Sequence, residues 1–293
     1  MKPYEWMVKY TAQTEWIERR GVLMWLAEVF SGLGTGLYLV ALYFNNLWGM
    51  LFGWLIVIVL KGGLHFAYLG KPLRFWRMLL RPQTSWLSRG FIFMLLFIVA
   101  GALQLLFSYL LPGSGSELVF KVIAGLLAFL VAIYTGFVMN YVNGIQLWNS
   151  SLLPLLFVLS GVLDGFALVI TIGLFGGKVD IMAAEAGSRL FLVTAAVFIA
   201  TYLLSTTYVG AAGKQSVVEL VRGSLAPVLW VGVVICGIIL PVLISISSAF
   251  AGAAPALLVI AIISEMVGAF SLKYCILKAG IYAPLIPSSS NFS

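Results

Sequence analysis

Ser31-Gly32-Leu33-Gly34-Thr35-Gly36-Leu37-Tyr38-Leu39-Val40 sits inside an apolar run from Gly21 to Phe44, and its pattern returns at Ser160-Gly161-Val162-Leu163-Asp164-Gly165-Phe166-Ala167-Leu168-Val169, inside a run from Leu152 to Phe175. Both copies fit S-G-aliphatic-x-x-G-x-x-L-V. Runs of this length and apolarity cross a hydrocarbon core as single helices. The Gly32/Gly36 and Gly161/Gly165 spacing marks faces where two helices approach closely. A dinucleotide-binding loop is the wrong reading of these glycines, because no strand precedes them.

Six further runs accompany these two: Leu47–Leu69, Gly90–Leu111, Leu118–Tyr141, Arg189–Gly210, Leu225–Phe250 and Ala254–Lys278. Of 293 residues 62% are hydrophobic and 9% charged, with a mean hydropathy of +1.09, far from a soluble domain. The fold class is therefore all-α, a polytopic membrane protein with eight transmembrane helices. Continuous rather than alternating apolarity excludes a β-barrel. Spans two and six close with Tyr68-Leu69-Gly70 and Tyr208-Val209-Gly210, and spans three and seven open with Arg89-Gly90 and Arg222-Gly223. Together with the glycine stretches, these matches predict two related four-helix bundles, 21–141 and 152–278, with the same orientation. Residues 1–20 carry Tyr4, Trp6, Tyr10 and Trp16 among charges and lack the apolar core of a signal peptide, so they are expected to lie in the interface. A tail, 279–293, ends the chain.

The net charge of +7 is spread unevenly. Lys2, Lys9, Arg19, Arg20, Lys71, Arg74, Arg77, Arg81, Arg89, Lys214 and Arg222 fall on one side of the membrane, whereas Lys121, Lys178 and Arg189 fall near the other. This is the distribution expected of a membrane protein with both termini in the cytoplasm, and nucleic acid is not implied. The single histidine, His65, and the two cysteines, Cys236 and Cys275, are too few to hold a haem by two axial ligands or an iron–sulfur cluster by four. The cysteines lie inside spans and read as small apolar fillers.

Polar residues nevertheless sit inside the spans, where each is costly unless paired or functional. Counting inward from the basic side at 1.5 Å per residue puts Glu28 and Tyr134 roughly 10 Å deep, His65 roughly 6 Å, Lys61 roughly 12 Å and Lys273 roughly 8 Å. Such a layer suits a quinone headgroup: Tyr134 and His65 as donors, Glu28 as proton acceptor, with apolar helix faces for the tail. A structural Lys61–Glu28 ion pair, with Tyr134 bonded to a backbone carbonyl, is the plainer alternative. Asp164 and Glu265 lie near the midplane, as steps of a proton path or as a fixed pair between the halves.

The stretch His65-Phe66-Ala67-Tyr68-Leu69-Gly70-Lys71-Pro72-Leu73-Arg74-Phe75-Trp76-Arg77, followed by Thr84-Ser85-Trp86-Leu87-Ser88-Arg89-Gly90, resembles the H-x-x-x-L-G-(K/R)-P-x-R-F-W-R and (T/S)-S-W-x-x-(R/W)-G signature of NrfD-like proteins. These are membrane subunits of polysulfide, dimethyl sulfoxide and tetrathionate reductases and related enzymes. Ala132-Ile133-Tyr134-Thr135-Gly136 and Leu147-Trp148-Asn149 resemble that family's Y-(T/P)-G and P-L-W-N elements, with Gln146 in place of the proline and Asp164 where a small or hydroxyl residue is usual. The resemblance implies a subunit of the prokaryotic inner (cytoplasmic) membrane that binds menaquinone or ubiquinone, holds no haem or cluster, and exchanges electrons with a ferredoxin-like iron–sulfur subunit serving a molybdopterin catalytic subunit. It places Tyr134 at the quinone. Lys71, Arg74, Arg77, Arg81, Trp86 and Arg89 would then form the docking face for the iron–sulfur subunit, although a basic loop on anionic lipid explains the charges nearly as well. The main competing function is a secondary transporter using Asp164, Glu265 and Lys61; a purely structural anchor is the third.

Overall fold

The computed structural model describes residues 5–252 and 254–286; Lys2, Tyr4, the side chain of Trp6 and the tail from 287 onward lie outside the described residues. Among the described residues, eight helices are long and apolar enough to cross a membrane: Gly21–Tyr43, Leu47–Tyr68, Trp86–Leu110, Gly115–Asn140, Leu152–Leu174, Ile181–Val209, Val228–Phe250 and Pro255–Lys278, spans 1 to 8 below. The chain is thus a multi-pass, all-α membrane protein.

Several spans begin earlier than their apolar runs because a side chain caps the helix. Ser85 Oγ accepts from the Ser88 amide at 3.3 Å, and Ser114 Oγ from Glu117 at 3.1 Å. Asp180 Oδ1 takes the Ala183 amide at 3.0 Å, so span 6 starts at Ile181 rather than Arg189 and carries Glu185, Ser188 and Arg189 inside it. The connections are also more regular than the residue pattern suggests. Pro72–Leu80 is a 3₁₀ helix, with proline where a first-turn amide needs no partner, and Ala211–Arg222 is an α-helix.

Span 1 packs against spans 2, 4 and 5 and is the most deeply enclosed of the eight. Its glycine face meets that of span 5 backbone to backbone: a Cβ on Gly36 would lie 1.6 Å from the Gly161 carbonyl oxygen, and one on Gly165 2.2 Å from that of Gly36. Spans 7 and 8 meet in the same way at Gly237 and Gly268. Without a hydrophobic driving force between helices in lipid, such close contact is what holds them together. Two apolar cores stack along the membrane normal, and each draws on both halves of the chain. One gathers Tyr38, Phe97 and Phe166; the other, on the basic side, gathers Trp148, Leu153, Tyr202 and Ile276.

The two ends of the described chain are tied together on that basic side. Thr11–Ala12 pairs antiparallel with Ile281–Tyr282. Gln13 donates its amide to Gly280 O and its side-chain Nε2 to Leu277 O, both at 2.8 Å. Trp148, buried beneath, donates Nε1 to Ile276 O at 2.7 Å and stacks obliquely on Trp16 at 5.4 Å. Gln146, in the place of the expected proline, accepts the Gly213 amide at 2.8 Å and so anchors the Ala211–Arg222 helix to the 4–5 connection.

Candidate functional site

On the basic side, the ends of spans 1 to 4 enclose a cavity of about 330 Å³. Its wall is mostly apolar, with Met24, Phe66, Phe91 and Met94, and carries His65, Tyr134, Tyr68 and Trp16 as its polar-tipped side chains. The 3₁₀ helix closes it: with three residues per turn, Phe75 and Met78 share one face and both line the cavity, while Leu73 and Trp76 share another and point away from it, exposed. Phe66, Leu87 and Leu95 are at once wall residues and exposed on the outer surface, so the cavity opens sideways between spans 2 and 3, toward lipid.

Tyr134 is held on two sides. Its ring lies directly over Gly90, where a Cβ would come within 2.0 Å of Cδ2. The Lys61 ammonium stands 4.4 Å from the ring centroid and donates to Ser31 Oγ at 2.5 Å. Lys61 is fully buried although its neighbours Val59 and Leu60 face outward, because it continues the inward face of Met50, Gly53 and Val57, within a π-helical stretch over Ile56–Gly62. One turn on, His65 Nδ1 lies 3.1 Å from the Lys61 carbonyl oxygen. A carbonyl can only accept, so Nδ1 carries the proton and Nε2 faces Glu28 Oε1, 3.7 Å away. The other carboxylate oxygen, Oε2, is buried without a partner among the described residues.

The four expected headgroup residues are therefore brought together, but in two ranks. Tyr134 and His65 form the cavity wall; Lys61 stands behind the tyrosine and Glu28 behind the histidine. Lys61 turns to Ser31 and Tyr134 rather than to Glu28, so the ion-pair alternative does not describe the arrangement. The residue pattern gives Gly90 and Ser31 no role beyond motif and packing, because nothing in either stretch marks a neighbour from another span.

Deeper in the bundle Lys273 turns to Asp164 at 3.5 Å rather than to the cavity, both almost fully buried. Gly32 makes this possible, since a Cβ there would lie 2.5 Å from the Lys273 ammonium. Glu265 accepts from Ser188 Oγ at 3.2 Å and is not paired with Asp164. On the basic surface Lys71, Arg74, Arg77 and Arg81 are exposed. Arg89 instead donates to the Pro82 and Gln83 carbonyls at 2.7 Å each and lies 4.6 Å over Trp86, which in turn stacks on Phe137 at 4.4 Å. Those two residues brace the entry to span 3 and leave the outer face to the other four.

Eight apolar helices, four of which enclose a cavity that is open to lipid, mostly apolar in lining and edged by ring groups including His65 and Tyr134, define a class: a membrane protein shaped to take a hydrophobic ligand with a polar head. More specifically, the chain belongs to the NrfD polysulphide reductase family, whose model, described as "Polysulphide reductase, NrfD", matches residues 21–284. It is similar to the protein NrfD homolog of Haemophilus influenzae, 26% identical over 244 residues that cover 73% of this chain and 75% of the relative. It is also similar to a polysulfide reductase subunit of Wolinella succinogenes, 30% identical over 134 residues, 43% of this chain and 42% of that one. Membership makes it a membrane subunit of a reductase complex.

Proposed function

We propose that this chain binds quinone or quinol in the cavity between spans 1 and 4 and exchanges its electrons with an iron–sulfur subunit docked on the exposed basic face, which in turn serves a molybdopterin subunit. The observation that carries this is the two-rank site: a phenol and an imidazole on the wall of a lipid-open apolar cavity, each backed by a buried ionisable group. A quinone supplies two-electron, two-proton chemistry at its two carbonyl oxygens. Tyr134 donates to one of these, and His65, when protonated at Nε2 as well as Nδ1, donates from Nε2 to the other. Proton loss or gain at His65 passes through Nε2 to Glu28, the carboxylate that faces it. Lys61 fixes the tyrosine ring from behind and sets the local positive potential. Electrons enter or leave through the 3₁₀ helix face that carries Lys71, Arg74 and Arg77. Asp164 and Glu265 continue the proton path inward, and the basic face is cytoplasmic in an inner-membrane protein.

The cavity's size speaks against the transporter reading. The space beside Asp164 is about 40 Å³, room for a few waters at the roughly 10–15 Å³ that one needs, and far short of a solute. The test is to purify the chain with its partners and compare activities. Tyr134→Phe and His65→Ala should lower quinone-linked turnover while the partners' dye-linked activity stays intact; equal loss of both, or of neither, overturns the proposal.

A further inference from the structure

We infer that spans 5 to 8 hold a water-bearing proton file running from Asp164 through Glu265 to Glu185, with its mouth on the face opposite the basic surface. The inference deepens the proposed proton role of Asp164 and Glu265, on which it rests, by naming the residue at which that route ends and the side to which it leads.

Two small cavities set out the route. The first, about 40 Å³, is lined by Ser160, Asp164 and Glu265 among aliphatic side chains. The second, about 20 Å³, is lined by Glu265, Ser188, Glu185 and Ser245. Glu265 borders both, so the two are separated by one carboxyl group that already accepts from Ser188. Each cavity exceeds the roughly 10–15 Å³ that holds one water, and each has the polar partners a buried water requires.

Along the route Ser160 Oγ at the first cavity and Glu185 Oε1 at the second lack hydrogen-bond partners among the described residues, while Asp164 Oδ2 at the first faces only Lys273 Nζ, at 3.5 Å. All three residues are more than nine-tenths buried. Buried polar atoms are almost always satisfied, and an unsatisfied one beside a cavity of water size is satisfied by water. Glu185 is held in place by its other oxygen, which accepts from Ser248 Oγ at 2.9 Å. Arg189, one turn on, donates to the Ser245 carbonyl at 2.9 Å and joins spans 6 and 7 at the mouth. Glu185 lies four residues past the start of span 6, roughly 6 Å below the surface opposite the quinone cavity. A proton taken by Asp164 is passed by water to Glu265 and by water again to Glu185, each carboxyl returning to its starting state as the next receives the proton. No oxidant or reductant takes part.

The experiment uses the full chain in lipid nanodiscs and infrared spectroscopy of buried carboxyl groups on mixing with D₂O, alongside the purified complex in liposomes that enclose a pH-sensitive dye. In the unaltered chain the buried carboxyl band should exchange on mixing, and Glu265→Gln and Glu185→Gln should each remove part of it. In liposomes either variant should lose the dye response driven by quinol turnover, while turnover with a protonophore present stays as in the unaltered complex. A band that does not exchange, or a spectrum and dye response that survive Glu185→Gln, overturns the file. Quinone binding is read separately by quenching of the chain's tryptophan fluorescence with added menadione. Its absence in the unaltered chain defeats the cavity reading and leaves the exchange result to stand alone.

Discussion

Gly90→Ala isolates the geometry of Tyr134 from its chemistry. The added methyl would stand 2.0, 2.2 and 2.6 Å from three carbons of the tyrosine ring, where contact between carbons begins near 3.5 Å. The ring has to retreat by about 1.5 Å, and behind it stand the Lys61 ammonium and the walls of spans 1 and 2. Displacement of a reacting group by about 1 Å costs on the order of a hundredfold in rate, so quinone-linked turnover should fall about 10²-fold. Overpacking itself costs about 1–3 kcal/mol, small enough for the complex to assemble. The assay is quinol-linked against dye-linked reduction by the purified complex, with the thermal midpoint of the same preparation as control. Tyr134→Phe removes one hydrogen bond, worth about 1 kcal/mol, and should cost only about fivefold in quinone affinity. Quinone-linked kinetics unchanged in Gly90→Ala, at normal assembly, would refute a role for the tyrosine's position.

Glu28→Gln keeps the shape behind His65 but removes its proton acceptor; kcat should drop with KM for quinol nearly unchanged, and a change confined to KM would contradict the relay. Gly36→Ala drives a methyl to 1.6 Å from the Gly161 carbonyl oxygen, with only backbone to yield, so the chain should fail to accumulate in membranes, as measured by quantitative blotting. Trp148→Phe leaves the Ile276 carbonyl without its donor in a buried site, and unfolding in detergent should become easier by about 1–3 kcal/mol with quinone binding retained. Arg74→Glu with Arg77→Glu reverses the outer face of the 3₁₀ helix; the partner subunits should no longer co-purify, while the isolated chain still binds quinone.

The spans were legible because lipid imposes continuous apolar runs, and close helix contact at Gly32/Gly36 and Gly161/Gly165 because of their spacing, whereas nothing in that spacing says that the two faces meet each other. The start of span 6 was not, since Glu185 and Arg189 break the apolar run although Asp180 caps a helix that contains them. Counting depth gathers Glu28, Lys61, His65 and Tyr134 into one region, yet counting gives height and not azimuth. It therefore places Lys273 in the same layer, whereas its side chain runs past Gly32 to Asp164. The π-helical widening of span 2 over Ile56–Gly62 has no residue signature. Nor does a basic loop announce that every third residue will roof a cavity; Phe75 and Met78 read as docking aromatics or filler until the 3₁₀ period is seen.

The charges of the buried layer explain how events at the cavity reach the file. Glu28 and Asp164 are its acids and Lys61 and Lys273 its bases, and both Glu28 and Lys273 lie close enough to Lys61 for their charges to act on it. Charges of this kind are tolerated in a low-dielectric interior when they balance, and removing one leaves its neighbour uncompensated at a cost of several kcal/mol. When His65 passes a proton to Glu28, the layer holds two ammonium groups against one carboxylate. The excess is relieved when the Lys273 ammonium gives a proton to the Asp164 carboxylate beside it and Asp164 passes that proton on toward Glu265. On the proposed reading the coupling of quinone chemistry to proton movement thus needs no moving domain: it follows from electroneutrality in a layer that Gly32 makes compact enough for the four charges to feel one another. Replacing Lys61 with methionine should slow quinol oxidation and also lower the number of protons delivered to the far side per quinol oxidised, as read by the enclosed dye; an unchanged ratio in that variant would contradict the coupling.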